Sequence, residues 1–164
     1  MKFRDILCFI LGVLLTTIFL YKGGYINNFY EKNKEQIVAT LQIEYGISKA
    51  IAIAIYNSHR ISKFDPIFLA ELISSESQFN IKARSCKNYK GLMQTPTMTG
   101  DPDVDVLYGT KILMEKWEIA KGDPLKAVAL YKGGWNKQAI KYAKEMLRNY
   151  RTRVSKLSEV INET

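Results

Sequence analysis

Asp65-Pro66-Ile67-Phe68-Leu69-Ala70-Glu71-Leu72-Ile73-Ser74-Ser75-Glu76-Ser77 is the stretch whose reading decides the fold. Asp is a good N-cap and Pro suits the first helical position, so a helix is expected from Pro66 to about Ser77. Leu69, Leu72 and Ile73 form its apolar stripe. Glu76 lies seven, four and three residues beyond them and so projects from the same face. Glu71 points nearly opposite and is expected in solvent.

The same Asp-Pro signal recurs at Asp101-Pro102 and Asp123-Pro124. It predicts a helix over 103–120, with Val106, Leu113, Trp117 and Ala120 on one face, and a short one from Pro124 to about Lys132, ended by Gly133-Gly134. A last long helix is expected from Asn136 to about Val160, with Ala139, Ala143, Met146, Tyr150, Val154, Leu157 and Ile161 inward. Upstream, Ile37, Leu41 and Tyr45 recur at helical steps, and Ile47, Ile51, Ala54 and Ile55 make a second stripe. No alternating segment is long enough for a buried strand. The expected fold class is therefore all-α. Residues 78–101 are the exception, a polar stretch whose length inside a helical domain points to function.

Composition narrows the chemistry. The chain has 164 residues, 47% apolar and 12% aromatic, enough for one packed core. Cys8 and Cys86 are too few for a disulfide scaffold or an all-cysteine zinc site, and His59 is the sole histidine, so a multi-His catalytic metal site is excluded. His59 is expected at the surface. Trp117 and Trp135 sit at helical-core spacing and are expected inside.

Residues 6–21 (ILCFILGVLLTTIFLY) are uncharged and mostly apolar, behind Lys2 and Arg4. As a helix the run spans about 24 Å, a little short of a ~30 Å hydrocarbon core. Two readings stand, an uncleaved signal-anchor and a cleaved signal peptide; the poor cleavage signal at Lys22-Gly23-Gly24-Tyr25 favours the anchor. The expected organisation is a signal-anchor or signal peptide at 1–21, a juxtamembrane linker at 22–34 and a helical domain at 35–164. The domain is then a monomer held outside the cytoplasm on a single-pass span, or secreted if the run is removed.

Glu76 is a carboxylate in an unusual place. It shares a face with apolar residues and lies in the last helical turn, where the helix dipole disfavours negative charge; both favour its protonated form. A carboxyl that keeps its proton can act as a general acid. Taken alone, a helix-end Glu facing water is the commoner arrangement.

The next residues along the chain shift that balance. Glu76-Ser77-Gln78-Phe79-Asn80, then Ala83, Ser85 and Gly91-Leu92-Met93-Gln94, resemble the E-S-x-F-N, A-x-S and G-L-M-Q patterns of the soluble lytic transglycosylase domain, a lysozyme-like family. Asp101-Pro102-Asp103 to Gly109 and Leu113 is similar to a further segment of that domain. So is Gly122-Asp123 with Ala127-Val128-Ala129-Leu130-Tyr131-Lys132-Gly133-Gly134, where Lys132 stands in place of the family's Asn. The resemblance covers about residues 60–135, and several ordered motifs at family spacing are a specific signal.

The resemblance implies a lysozyme-like helical fold that cleaves the β-1,4 bond between N-acetylmuramic acid and N-acetylglucosamine in peptidoglycan glycan strands. It implies Glu76 as the acid/base, Ser85 holding substrate near the scissile bond, Met93 and Gln94 lining the sugar cleft, and Tyr131 hydrogen-bonding and orienting Glu76. No cofactor or metal is expected. Ordinary glycosidases need two carboxylates, and no second one is evident near the motif. A transglycosylase needs only one, because the sugar's own C6 hydroxyl is the tethered nucleophile. Two other readings stay open: a hydrolytic goose-type-like muramidase, and a non-catalytic, membrane-anchored wall-binding or scaffold protein.

The formal net charge is +8. Lys137, Lys141, Lys144, Arg148 and Arg151 repeat at steps of four and three, opposite the apolar stripe of the last helix. A solvated face is the plain reading; contact with an anionic wall polymer or lipid headgroups is the sharper one. No nucleic-acid partner is expected, since no binding motif accompanies the charge.

Overall fold

The structure, a computed structural model, describes residues 33–162. The chain divides into two compact units, residues 1–37 and 38–164, and most of the described residues belong to the second. The candidate membrane segment lies outside the described residues. Among those that are described, no helix is long and apolar enough to cross a membrane.

The described chain is mainly helical. Residues 33–45 form α1. It is followed by α2 (Lys49–Ser62), α3 (Pro66–Ser77), α4 (Pro102–Ile119), α5 (Pro124–Lys132) and α6 (Lys137–Asn162). Gly46, at φ 62, breaks the chain between α1 and α2. All three Asp-Pro pairs open helices as the sequence predicts. Asp65 accepts from the Ile67 amide at 2.7 Å, Asp101 from Asp103 at 2.9 Å, and Asp123 from Leu125 at 2.9 Å and Lys126 at 3.1 Å. Asn136 caps α6 in the same way, accepting from Gln138 and Ala139.

Helix α3 carries the longest buried run of the described residues. It lies against α2 and α6, while α2 packs on α4, and α5 on both α4 and α6. Every residue from Ile67 to Ile73 is buried, so α3 has no wet face in its first two turns. This corrects the expectation for Glu71, which is only 4% exposed. Its Oε1 accepts from the Tyr45 hydroxyl at 2.9 Å and from Arg153 Nε at 2.7 Å. Arg153 also donates to the Glu44 carbonyl and carboxylate and stacks 4.4 Å from the Tyr45 ring centre. The reason is positional: a carboxylate in the middle of a central helix must be paired or not charged.

Helix α6 holds α3 at three points: Tyr142 on Glu76, Arg153 on Glu71, and the Tyr150 hydroxyl on Asp65 at 3.1 Å. An aromatic cluster of Phe64, Phe68, Trp117 and Tyr150, with ring centres 5.0 to 6.2 Å apart, fills the other end of α3. Trp117 therefore packs as expected. Trp135 does not: it stands 54% exposed in the α5–α6 turn, because two glycines at φ 140 and 107 precede it there and no helix begins until Lys137. His59 is half-buried, with Nδ1 2.7 Å from the Phe64 carbonyl oxygen.

Residues 78–101 contain no strand, but they are ordered by hydrogen bonds. Lys90 and Thr95 exchange reciprocal backbone bonds at 2.8 and 3.0 Å, and the Gly91 amide reaches the Ala83 carbonyl at 2.9 Å. The buried Asp105 of α4 accepts from the Thr99 amide and hydroxyl and from the Gly100 amide, tying the far end of the segment down.

Candidate active site

Helix α3 ends at Ser77, and Gln78 and Phe79 then take left-handed backbone conformations at φ 51 and 61. The chain turns sharply there, so the last turn of α3 is left at the wall of a cavity of about 580 Å³, within the usual range for ligand pockets. One wall is Ser74, Ser75, Glu76, Ser77 and Gln78. Ala83, Arg84 and Gln94 come from the ordered segment after α3, and Tyr142, Glu145, Met146 and Asn149 from one face of α6.

Glu76 is at the centre of the polar network. Its side chain is 3% exposed. The Tyr142 hydroxyl donates to Oε1 at 2.7 Å, and the Lys132 ammonium donates to Oε2 at 2.8 Å. Lys132 also sits 4.5 Å from the Tyr142 ring centre, so the three side chains form a closed cluster. The apolar surroundings expected for Glu76 are thus replaced by an ion pair and a charge-assisted hydrogen bond. The side chain does project from the predicted face, and that face carries a buried carboxylate.

The remaining candidates separate. Gln94 lines the same cavity as Glu76; its backbone is left-handed, at φ 49, and its amide donates to the Gly91 carbonyl at 3.0 Å. Met93 does not line the cavity. It is 1% exposed and packs against Gly109 and Thr110 of α4, whose hydroxyl lies 3.8 Å from its sulfur. Ser85 is also outside the lining, and its hydroxyl oxygen accepts from the Tyr89 amide at 3.1 Å in a local turn.

Tyr131 does not hydrogen-bond Glu76. Its hydroxyl donates to the Met93 carbonyl at 2.7 Å, so it braces the segment beneath the cavity instead. Burial first, and the Glu76 charge second, push the Tyr131 hydroxyl well above its usual range. The same two causes, in the same order, hold for Tyr142. Both hydroxyls therefore stay protonated and act as donors.

Sequence reasoning missed Tyr142, Glu145 and Asn149. A signal was present. Ala139, Ala143 and Met146 set the inward stripe of α6, and Tyr142 lies three residues after the first and four before the last, on the flank of that stripe. Among the described residues, no group of three or more His, Cys, Asp or Glu side chains could hold a metal ion.

Chemically, the cavity offers one buried carboxylate with two donors, a second carboxylate (Glu145) exposed on the α6 wall, and amide and hydroxyl groups suited to a polyhydroxylated ligand. No protein-family model matches the chain.

Proposed function

We propose that the chain is a peptidoglycan lytic transglycosylase with a lysozyme-like fold, tethered outside the cytoplasm by its apolar segment at 6–21. The observation that carries this reading is the buried Glu76 carboxyl at the wall of a 580 Å³ polar cavity, shared with Gln94 and hydrogen-bonded by Tyr142. Glu76 in its protonated form gives its proton to the bridging glycosidic oxygen as the bond to the anomeric carbon breaks. The C6 hydroxyl of the same sugar attacks that carbon, and Glu76 takes the hydroxyl's proton. The product is the 1,6-anhydro-muramic end, and the acid is regenerated.

In this reading Gln94 contacts the glycan, Tyr131 and Met93 support the segment that presents Gln94, and Ser85 shapes the turn at the cleft entrance. No cofactor takes part. Lys137, Lys141, Lys144, Arg148 and Arg151 are all exposed on α6 and would contact an anionic wall polymer or lipid headgroups.

One observation favours a second reading. Glu145 lines the same cavity as Glu76, so a second carboxylate is available to hold a water, as a hydrolytic muramidase of goose type would require. Mass spectrometry of fragments released from purified sacculi by the full-length chain in detergent separates the two: anhydro ends and reducing ends differ by one water. The Glu76→Gln variant is expected to fold normally and lose nearly all release. Equal release by both proteins would remove Glu76 from its role. A chain that sediments with sacculi and releases nothing would be a wall-binding protein.

A further inference from the structure

Lys132 and Glu76 form an asymmetric pair. The carboxylate is fixed: it is 3% exposed, at the end of a central helix and held by Tyr142. The lysine side chain is 38% exposed, on a flexible four-carbon stem, and rests over the Tyr142 ring. In this state Oε2 of Glu76 accepts from an ammonium and Oε1 from a hydroxyl, so neither oxygen is free to engage a glycosidic oxygen. General-acid action requires the ammonium to leave Oε2 and a proton from solvent water to take its place. Taking the ammonium from a carboxylate that is itself buried is costly unless another partner replaces it.

A neutral sugar strand offers no such replacement. A muramic residue whose lactyl ether ends in a free carboxylate does, because that carboxylate can accept the ammonium as Glu76 gives it up. In a strand that bears peptide stems the same lactyl carbonyl is an amide and carries no charge. Arg84, exposed in the lining of the cavity, adds attraction of the same sign. Glu145 shares the cavity but is exposed, and no contact joins it to Lys132 among the described residues.

We infer that Lys132 is a positioning residue that makes the site selective for peptide-free glycan strands with free lactyl carboxylates, by exchanging Glu76 for the substrate carboxylate when the strand binds. This inference rests on the transglycosylase reading of the same site.

The test compares two matched substrates with the full-length chain in detergent: peptide-free muramyl glycans with the lactyl group as free acid, and the same glycans with it converted to the methyl amide. The wild type is expected to show a kcat/KM about tenfold or more higher on the acid form. Lys132→Gln, which keeps a donor beside Glu76 but no charge, is expected to cleave both forms at similar rates. Lys132→Arg is expected to keep the preference. Equal wild-type rates on the two substrates, or a Lys132→Gln enzyme that retains the wild-type preference, would overturn the inference. Binding to the Glu76→Gln chain, measured by calorimetry, separates this idea from the reaction itself. If the wild type cleaves neither glycan, the transglycosylase reading fails. The role of Lys132 then stands only if acid glycans still bind Glu76→Gln at least about tenfold tighter than amide glycans and Glu76→Gln/Lys132→Gln loses the difference; equal binding overturns it.

Discussion

The Tyr142 hydroxyl donates to Oε1 of Glu76 at 2.7 Å across 66 positions of sequence, and it fixes the direction in which the carboxylate points. Tyr142→Phe keeps the ring under Lys132 and removes only that donor. Hydrogen bonds to charged groups contribute roughly 1.5–3 kcal/mol, so kcat is expected to fall by about tenfold or more with little change in KM. An effect on KM alone would place Tyr142 among the groups that bind substrate without steering Glu76.

The pairing of Glu71 with Arg153 makes a prediction about stability alone. Arg153→Met leaves a carboxylate that is 4% exposed with Tyr45 as its remaining donor. Breaking a buried pair costs about 3–5 kcal/mol, and because the Arg153 side chain is 32% exposed the expected loss falls below that range, about 2–3 kcal/mol by urea unfolding. The double variant Glu71→Met/Arg153→Met is expected to be more stable than Arg153→Met, since two apolar groups replace both charges. The reverse order would show that Glu71 without its arginine still stabilises the chain through its bond from Tyr45.

Gly109 is the place where α4 approaches Met93. A Cβ built there would lie 2.5 Å from Met93 Cβ and 2.6 Å from its sulfur. Ala for Gly within a helix ordinarily stabilises by up to ~1 kcal/mol, yet Gly109→Ala is expected to destabilise by about 1–3 kcal/mol through overpacking. In a Met93→Ala background the penalty is expected to shrink in part, because the sulfur and Cγ are gone while the Cβ overlap stays. Denaturant midpoints of the two single variants and the double variant check this. A penalty unchanged in the Met93→Ala background would sink the account.

Alkaline titration should register the buried hydroxyls. Tyr45, Tyr131 and Tyr142 are each pushed above their usual value, by burial first and then by the charge of Glu71 or Glu76. In the unfolded chain they titrate near the ordinary value of about 10. Above that pH the folded chain keeps protons that the unfolded chain has lost, so stability falls as pH rises. The contribution of these groups is fully present below about pH 10. Tyrosinate absorbance and helical circular dichroism, followed together, should show the buried tyrosines ionising only as helix is lost. Ionisation of all ten tyrosines in an intact helical chain would contradict their placement.

The helices were legible because their signals are local. An Asp-Pro pair caps and starts a helix with atoms that are two or three residues apart, and the glycines after Lys132 stop one in the same way. Glu76 was legible for a similar reason: its phase relative to Leu69, Leu72 and Ile73 places it on an inward face. The partners of those side chains were not. Glu71 looked solvated because the residue that neutralises it, Arg153, is 82 positions away, and nothing in α3 alone says that the helix is enclosed on both sides. Met93 was expected in the cleft from the resemblance alone; only the glycine facing it on α4 reveals that its side chain turns into the core. Tyr142 makes the contact expected of Tyr131 for the same reason, since which hydroxyl reaches Glu76 depends on how α5 and α6 pack.

Helix α6 meets α3 through Tyr142, Tyr150 and Arg153, and the first and last of these are eleven residues apart, close to three turns of about 3.6 residues. Its interior spacing therefore works as a ruler. One residue inserted between positions 143 and 149 would rotate everything beyond it by about 100°, swinging Tyr150 and Arg153 away from Asp65 and Glu71 while Tyr142 stayed on Glu76. Length variation in related chains should accordingly gather at the two ends of this helix and be absent from its middle.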